Sequence, residues 1–460
     1  MTIRLGGMAS SLETESIIQT LLDDRSAPIN TLKNKISEDE EIYASWTQID
    51  TEMSVLSSNS QLLTNYTTWA QMVMASSDEE VVSGSVTGTS LAGRKFLVNV
   101  STLAEEHQYH SYAQDATNTE LGLEGEFTVN GQTIAVATTD TLQSIMSKIN
   151  SASAAMDGVG VNAGIIGTSL VLRSNATGTA NAMTIADTTG TVLATLGLTD
   201  PDNETAAKDL SATVNNVPVT SATNTGIKDI ISGVTLNFNA TGTATFSVEH
   251  DTDNIKSLLN DFIASYNEIM AYLEDQSKVT VSSASDTVSD VGTLQGDSLV
   301  NKIQTKSRLL LSSITTNPNL MDQDFNSLYK IGIWFEDEDN EISITDEDAL
   351  DDALTNNFEE VMNLFRSYGT DGNGVGVFRQ FSDYMDQLTD PATGSITVKI
   401  NSLTTRISDN ELQKAKLQSQ LADYEVDLWQ HFAEMESSVS AINSASSYVF
   451  NSLGISNDDN

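Results

Sequence analysis

Apolar residues along 396–453 recur at Ile400, Leu403, Ile407, Leu417, Leu421, Tyr424, Leu428, Phe432, Met435, Val439, Ile442 and Val449. Most steps alternate three and four, the spacing of one helix stripe facing a partner helix. No Pro or Gly interrupts the run between Gly394 and Gly454. A continuous helix of that length reaches roughly 85 Å at about 1.5 Å per residue, and it needs another helix along its side. The two successive steps of four from Tyr424 to Leu428 to Phe432 locally unwind a heptad seam, so the phase changes near Trp429. The natural partner lies at the other chain end. Leu12, Ile17, Ile18, Leu21 and Leu22 follow a Ser10/Glu13 capping-box pattern and predict a short amphipathic helix that stops before Pro28. Ile29, Leu32, Ile36, Tyr43, Trp46, Ile49, Met53, Leu56 and Leu63 predict a second helix, which brings the chain ends together. Coiled-coil core alone accounts for most of these positions.

From Val81 the period falls to two, and Gly, Ser, Thr and Asn become dense. Residues 93–104 alternate as a half-buried strand. Asn130-Gly131 between two alternating runs is a hairpin signal, because a type I′ turn needs positive φ at both central residues. Thr139, Asp140 or Thr141 then caps a helix carrying Leu142, Ile145 and Ile149, and strands return at 159–166 and 169–173. A weaker copy of the unit has Asn215-Asn216 in the hairpin position. Helix resumes at Asn254 with Ile255, Leu259, Phe262, Tyr266 and Leu273. After a polar linker at 277–289 comes a helix with Leu309, Leu310 and Ile314, then a hairpin of 331–335 with 342–344. One helix carries Leu350, Leu354, Phe358, Val361 and Phe365, and another reaches about Leu388. The expected layout is a terminal segment 1–42, a helical leg 43–77, β-rich parts 78–120 and 205–253 around an inserted module 121–204, a second leg part 254–395, and the final helix 396–460. The fold class is multidomain α+β, elongated, with β-rich domains inserted between paired terminal helices.

Composition supports this. Hydrophobic residues are 39% and aromatics 6%, low for one compact body of 460 residues. With 22 Lys+Arg against 64 Asp+Glu the formal charge is -42, which repels nucleic acid and anionic membrane. Solubility in a salty exterior accounts for this acidity more simply than an acidic binding face. No apolar run approaches the roughly 18 residues of a membrane span, so membrane insertion is not expected. The start carries one Arg and no apolar h-region, unlike a general secretory signal. With no Cys and 5 Pro, neither crosslinks nor slow prolyl isomerisation would hinder export of an unfolded chain.

Chemistry is thinly represented. Four His, no Cys and no G-x-S-x-G exclude most familiar nucleophilic and zinc arrangements. His107 and His110 lie beside Glu105 and Glu106, but a solvated loop explains them better than a metal site. Asp337, Asp339, Glu341 and Asp348 partly mimic a calcium loop, yet Ile342 stands where Gly is demanded; a hairpin tip at Asn340 explains the run. No catalytic residue, cofactor or metal is expected.

Several segments resemble the flagellar filament cap (FliD) family of hook-associated proteins. The opening Gly6, Gly7, Leu12, Ile17, Ile18, Leu21, Leu22, Arg25 and Pro28 is similar to that family's start, although Ser11 and Glu13 replace its usual Gly and Asp. Residues 93–108 resemble its first β segment, and the Asn-Gly hairpin with its helix is shared with flagellins. FIASYNEIMAYL, GTLQGDSL, YKIGIWFEDEDNEISI and FAEMESSVSAINSASSYV are more specific, and their order matches too.

The resemblance implies a non-enzymatic cap. It would be exported without a cleaved signal by the flagellar type III apparatus, and would form a homo-oligomer of four to six subunits at the filament tip. Flagellin, hook–filament junction proteins and a cytoplasmic export chaperone are the implied partners. The expected oligomer or filament interface comprises Leu12, Ile17, Leu21, Ile29, Leu32, Ile36, Tyr43, Trp46, Leu417, Leu421 and Tyr424. The expected chaperone-docking stripe is Leu428, Phe432, Met435, Val439 and Ile442. Stripes at both termini are expected to stay unfilled within one chain. A tip-located adhesin and a hook–filament junction subunit are the alternatives, and the GTLQGDSL and YKIGIW segments argue against the second.

Overall fold

The computed structural model describes residues 10, 12–154, 160–281, 288–315, 320, 325–336, 340–369 and 374–452. Gly6, Gly7, Ser11, Val159, Asp337 and Asp339 lie outside the described residues. Two compact units divide the chain: Tyr66–Asp253, and Met1–Asn65 with Asn254–Asn460.

In the second of these, the N-terminal helix Thr14–Thr64 runs antiparallel to the C-terminal helix Ser395–Ser452. The expected stop before Pro28 does not occur. Pro28 and Asp24, whose carbonyl loses its partner, both face solvent, where water satisfies the free group. The helix is meanwhile held from both sides by contacts with the C-terminal helix. Nor does the Ser10/Glu13 capping box form: the Ser10 hydroxyl donates to the Glu436 carboxylate, and Glu13 precedes the helix without a side-chain cap bond. Extended Asn65 ends the helix, so residues up to 77 are not helical as expected. A turn Tyr66–Trp69 leads instead into strand Met72–Ser76.

Helices Thr252–Ser277, Ser298–Ser312, Glu347–Asn356, Phe358–Arg366 and Val377–Thr389 complete the helical unit. Their core is aromatic. Phe262 meets Phe378 edge-on at 4.7 Å and Phe381 at 5.3 Å, and Tyr266 lies 6.2 Å from Phe335, geometries that aromatic quadrupoles favour. The single helix expected from Leu350 to Phe365 is two. Asn357, at φ -133, closes the first through its amide to Ala353, and its carbonyl accepts from Val361 to open the second. Ile314 falls beyond the end of its expected helix and is exposed. Ile331 belongs to the turn Leu328–Ile331, and the hairpin pairs Ile333–Phe335 with Ile342–Ile344.

The β unit holds two cores. A five-stranded antiparallel sheet runs Met72–Ser76, Gly242–His250, Lys95–Thr102, Leu210–Val214, Val217–Ser221. It shares a core, including Val98, Leu236, Phe238 and Phe246, with the paired strands Val82–Val86 and Val234–Phe238. The other core gathers Phe127, Ile145, Ile149, Leu172 and Leu193. It draws on a three-stranded sheet built on hairpin Gly125–Val129/Gln132–Val136, a sheet containing Glu106–His110 and Ser169–Thr177, and the helix Leu142–Ser153. Thr141 and Ser144 cap that helix reciprocally. Asn130 (φ 48) and Gly131 (φ 85) make the left-handed turn, as do Asn215 (φ 49) and Asn216 (φ 65). The second hairpin is not followed by a helix: residues 227–233 turn directly into strand Val234–Phe238.

Candidate functional site

Three contacts fix the pairing of the long helices. Ser10 meets Glu436, the Arg25 guanidinium lies 4.3 Å over the Tyr424 ring, and Asp39 is gripped by Arg406. Ile36 and Trp46 are buried within the chain. Ile29, Leu32, Leu417, Leu421 and Tyr424 are half-buried, and Leu12, Ile17, Leu21 and Tyr43 are exposed. Ile18, not Ile17, supplies the buried position of its turn. The expectation that one chain leaves both terminal stripes unfilled is therefore corrected. Each long helix is the other's partner, and this covers much of both stripes. Leu428, Phe432, Met435 and Val439 are half-buried, while Ile442 is 66% exposed, and exposed Tyr448, Val449 and Phe450 follow.

Sequence reasoning missed the polar centre of the seam. Asp39 is only 4% exposed, and its carboxylate accepts from Arg406 Nε at 2.8 Å and from Nη2 at 2.5 Å. Buried Asn410 donates its Nδ2 to the same carboxylate at 3.4 Å. The gap between Ile407 and Leu417 in the three-four ladder was the available signal.

GTLQGDSL packs against the start of the C-terminal helix. A cavity of about 420 Å³ is bounded there by 293–298, Ile42, Lys399, Leu403 and Arg406. Asp297 caps helix Ser298–Ser312 through the Leu299 amide and pairs with Lys399 at 2.7 Å; Lys399 in turn sits 5.8 Å over the buried Trp46 ring. Burial raises the Tyr266 hydroxyl above the usual tyrosine range and pushes Tyr384 up to about 12, so both remain neutral.

His107 is not in a solvated loop. It is buried in strand Glu106–His110, its Nδ1 accepts from the Met183 amide at 2.7 Å, and its Nε2 therefore carries the proton toward Glu204 at 2.9 Å. Both ring nitrogens have protein partners, a structural role. Among the described residues no group of three or more His, Cys, Asp or Glu is placed to hold a metal. No described helix is long and apolar enough to cross a membrane.

Fold and seam define a class: a multidomain α+β chain whose two ends form one helical pair around inserted β domains. Residues 10–107 match the family model for the flagellar hook-associated protein 2 N-terminus, and residues 207–444 that for its C-terminus. The second match alone covers just over half of the chain, and the chain belongs to the flagellar hook-associated protein 2 family. Residues 108–206, with the hairpin–helix module, fall between the two matches. Flagellar hook-associated protein 2 of Escherichia coli O157:H7 is 24% identical over 469 residues, 96% of each chain. The A-type protein of Pseudomonas aeruginosa is 23% identical, covering 98% of this chain and 97% of its own. A crystal structure of the Escherichia coli flagellar cap protein FliD, domains D1-D2-D3, is 23% identical with a TM-score of 0.47. It covers 78% of this chain and 99% of that one.

Proposed function

We infer that the chain caps the distal end of the bacterial flagellar filament, promoting flagellin folding and insertion and preventing loss of flagellin subunits. Family membership supplies the role. The observation that carries its local mechanism is the end of the C-terminal helix, where Ile442, Tyr448, Val449 and Phe450 stand exposed. Apolar positions that stand exposed among the described residues of a helix favour a helical surface on another subunit. In this reading the work is steric and conformational. The cap is a ring of four to six copies, and the β units shield emerging flagellin while the terminal helices hold the tip.

The exposed Leu12, Ile17, Leu21 and Tyr43, with half-buried Ile29, Leu32, Leu417, Leu421 and Tyr424, are the candidate contacts to neighbouring copies, flagellin or hook–filament junction proteins. Before export through the flagellar type III apparatus, the stripe Leu428, Phe432, Met435, Val439 and Ile442 would serve a cytoplasmic chaperone. Deleting 442–460 is expected to leave the β unit folded and to abolish capping. Intact filaments with normal flagellin retention in that strain would refute the assignment. For the chaperone, Phe432→Asp should abolish co-purification while circular dichroism stays unchanged; undiminished co-purification would count against the stripe.

A further inference from the structure

We propose that the buried pair Asp39 and Asn410, with the exposed Arg406 that clasps the Asp39 carboxylate, sets the register of the terminal helix pair, and with it which part of the C-terminal helix stands exposed. Asp39 occupies a seam position in the ladder Leu32, Ile36, Asp39, Tyr43, Trp46, and Asn410 one in the ladder Leu403, Ile407, Asn410, Lys414, Leu417. Asp39 and Asn410, one from each helix, face each other across the seam at 3.4 Å, while Lys414, the other polar member of the second ladder, is half-buried. Asp39 and Asn410 are both buried, with relative exposures of 4% and 8%. The spacing is consistent along the seam: from the Arg25–Tyr424 contact to Asp39–Asn410 is fourteen residues, two heptads, on both helices.

An apolar three-four ladder is nearly as well satisfied after a slip of seven residues, because every core position again meets a core position. The polar group removes that degeneracy. After a one-heptad slip Asp39 faces Leu403 or Leu417 in place of Asn410, and Arg406 is carried about 10 Å away along the axis. A buried carboxylate is left without its partners, the arrangement that a protein interior tolerates least. Arg406 is the better partner for this task than Lys, since its planar fork grips both carboxylate oxygens. This deepens the capping reading, which assigns the exposed helix end to contacts outside the chain.

The chain has no Cys, so introduced pairs report register cleanly. In the purified full-length protein, Arg25→Cys is combined with Tyr424→Cys for the observed register, or with Leu417→Cys or His431→Cys for one-heptad slips. A short bis-maleimide then traps whichever pair is close. With the polar group intact, only the 25/424 pair is expected to link within one chain. In the background Asp39→Leu with Asn410→Leu, helicity should persist while the slipped links rise at least tenfold. Asp39→Asn, nearly isosteric, provides a second background, in which a smaller but measurable slipped fraction is expected. Linking confined to 25/424 in every folded background overturns the proposal. Flagellin leakage is scored separately on filaments: a slipped variant that caps normally would defeat the role given to the exposed end while leaving the register assignment standing.

Discussion

Asp140 accepts from the Ala137 amide and the Ser144 hydroxyl, both at 2.7 Å, and from Lys148 at 2.5 Å. Burial alone would raise its carboxyl, but the bonds from Lys148, Ala137 and Ser144 outweigh that and hold it below the usual carboxylate range. A lowered folded-state pKa gives stability that is present above the unfolded value of about 3.9 and is lost as pH falls through the folded one. Asp140→Asn should therefore flatten the loss of stability below about pH 4; urea titrations at several acid pH values measure this, and an unchanged slope would sink it. Gly332 has φ 78, and a Cβ there would come within 2.1 Å of the Asp346 carbonyl oxygen. Gly332→Ala should thus cost about 1–3 kcal/mol, read as a lowered denaturation midpoint; parity with the parent would refute the clash. Asn130-Gly131 was legible in the sequence, because a left-handed turn is a local demand. His107 was not, because Ser174, Met183 and Glu204, which complete its surroundings, arrive from distant stretches of the chain.

At the level of elements, the three-four period placed most of the long helices, while strands such as Met72–Ser76, Glu106–His110 and Val279–Val281 were read as helix, loop or linker; two of the helix failures share one cause. Local stop signals were overruled by packing, or local continuity was broken by it. Pro28 reads as a terminator, yet its neighbours along the seam hold the helix straight through it. Replacing it restores one backbone hydrogen bond on an exposed face, so Pro28→Ala should stabilise the helix by about 1–3 kcal/mol. Thermal melts followed by circular dichroism test this, and a lower melting temperature would mean that the Pro geometry is needed. Between Leu354 and Phe358 the spacing stays helical, but Asn357 leaves the helical region and re-aims Phe358, Val361 and Phe365, all of which are buried. Periodicity records which residues are buried and is silent on a change of axis that keeps them so.

The whole molecule carries a formal charge of -42, and assembling several copies concentrates that charge. Screening shortens from about 10 Å at 0.1 M salt to about 3 Å at 1 M. If apolar helix faces drive association, the oligomeric fraction should rise with salt in sedimentation velocity runs. A fall with added salt would point to ion pairs between copies instead. Acidity was legible from composition alone and the pairing of the two chain ends from their apolar stripes, whereas the extent to which one chain covers those stripes was not. The apolar stripe predicts a partner helix but does not say how fully that helix covers it.

The inserted β unit has one further property. Met72 pairs with His250 and Ser76 with Phe246, so the strands by which the chain enters and leaves this unit lie side by side. An insertion whose two attachment points are neighbours imposes almost no separation on the sequence that receives it. Evolution or an engineer can then lengthen, shorten or exchange the β modules as a cassette, changing their surface chemistry while the helical unit keeps its own sequence.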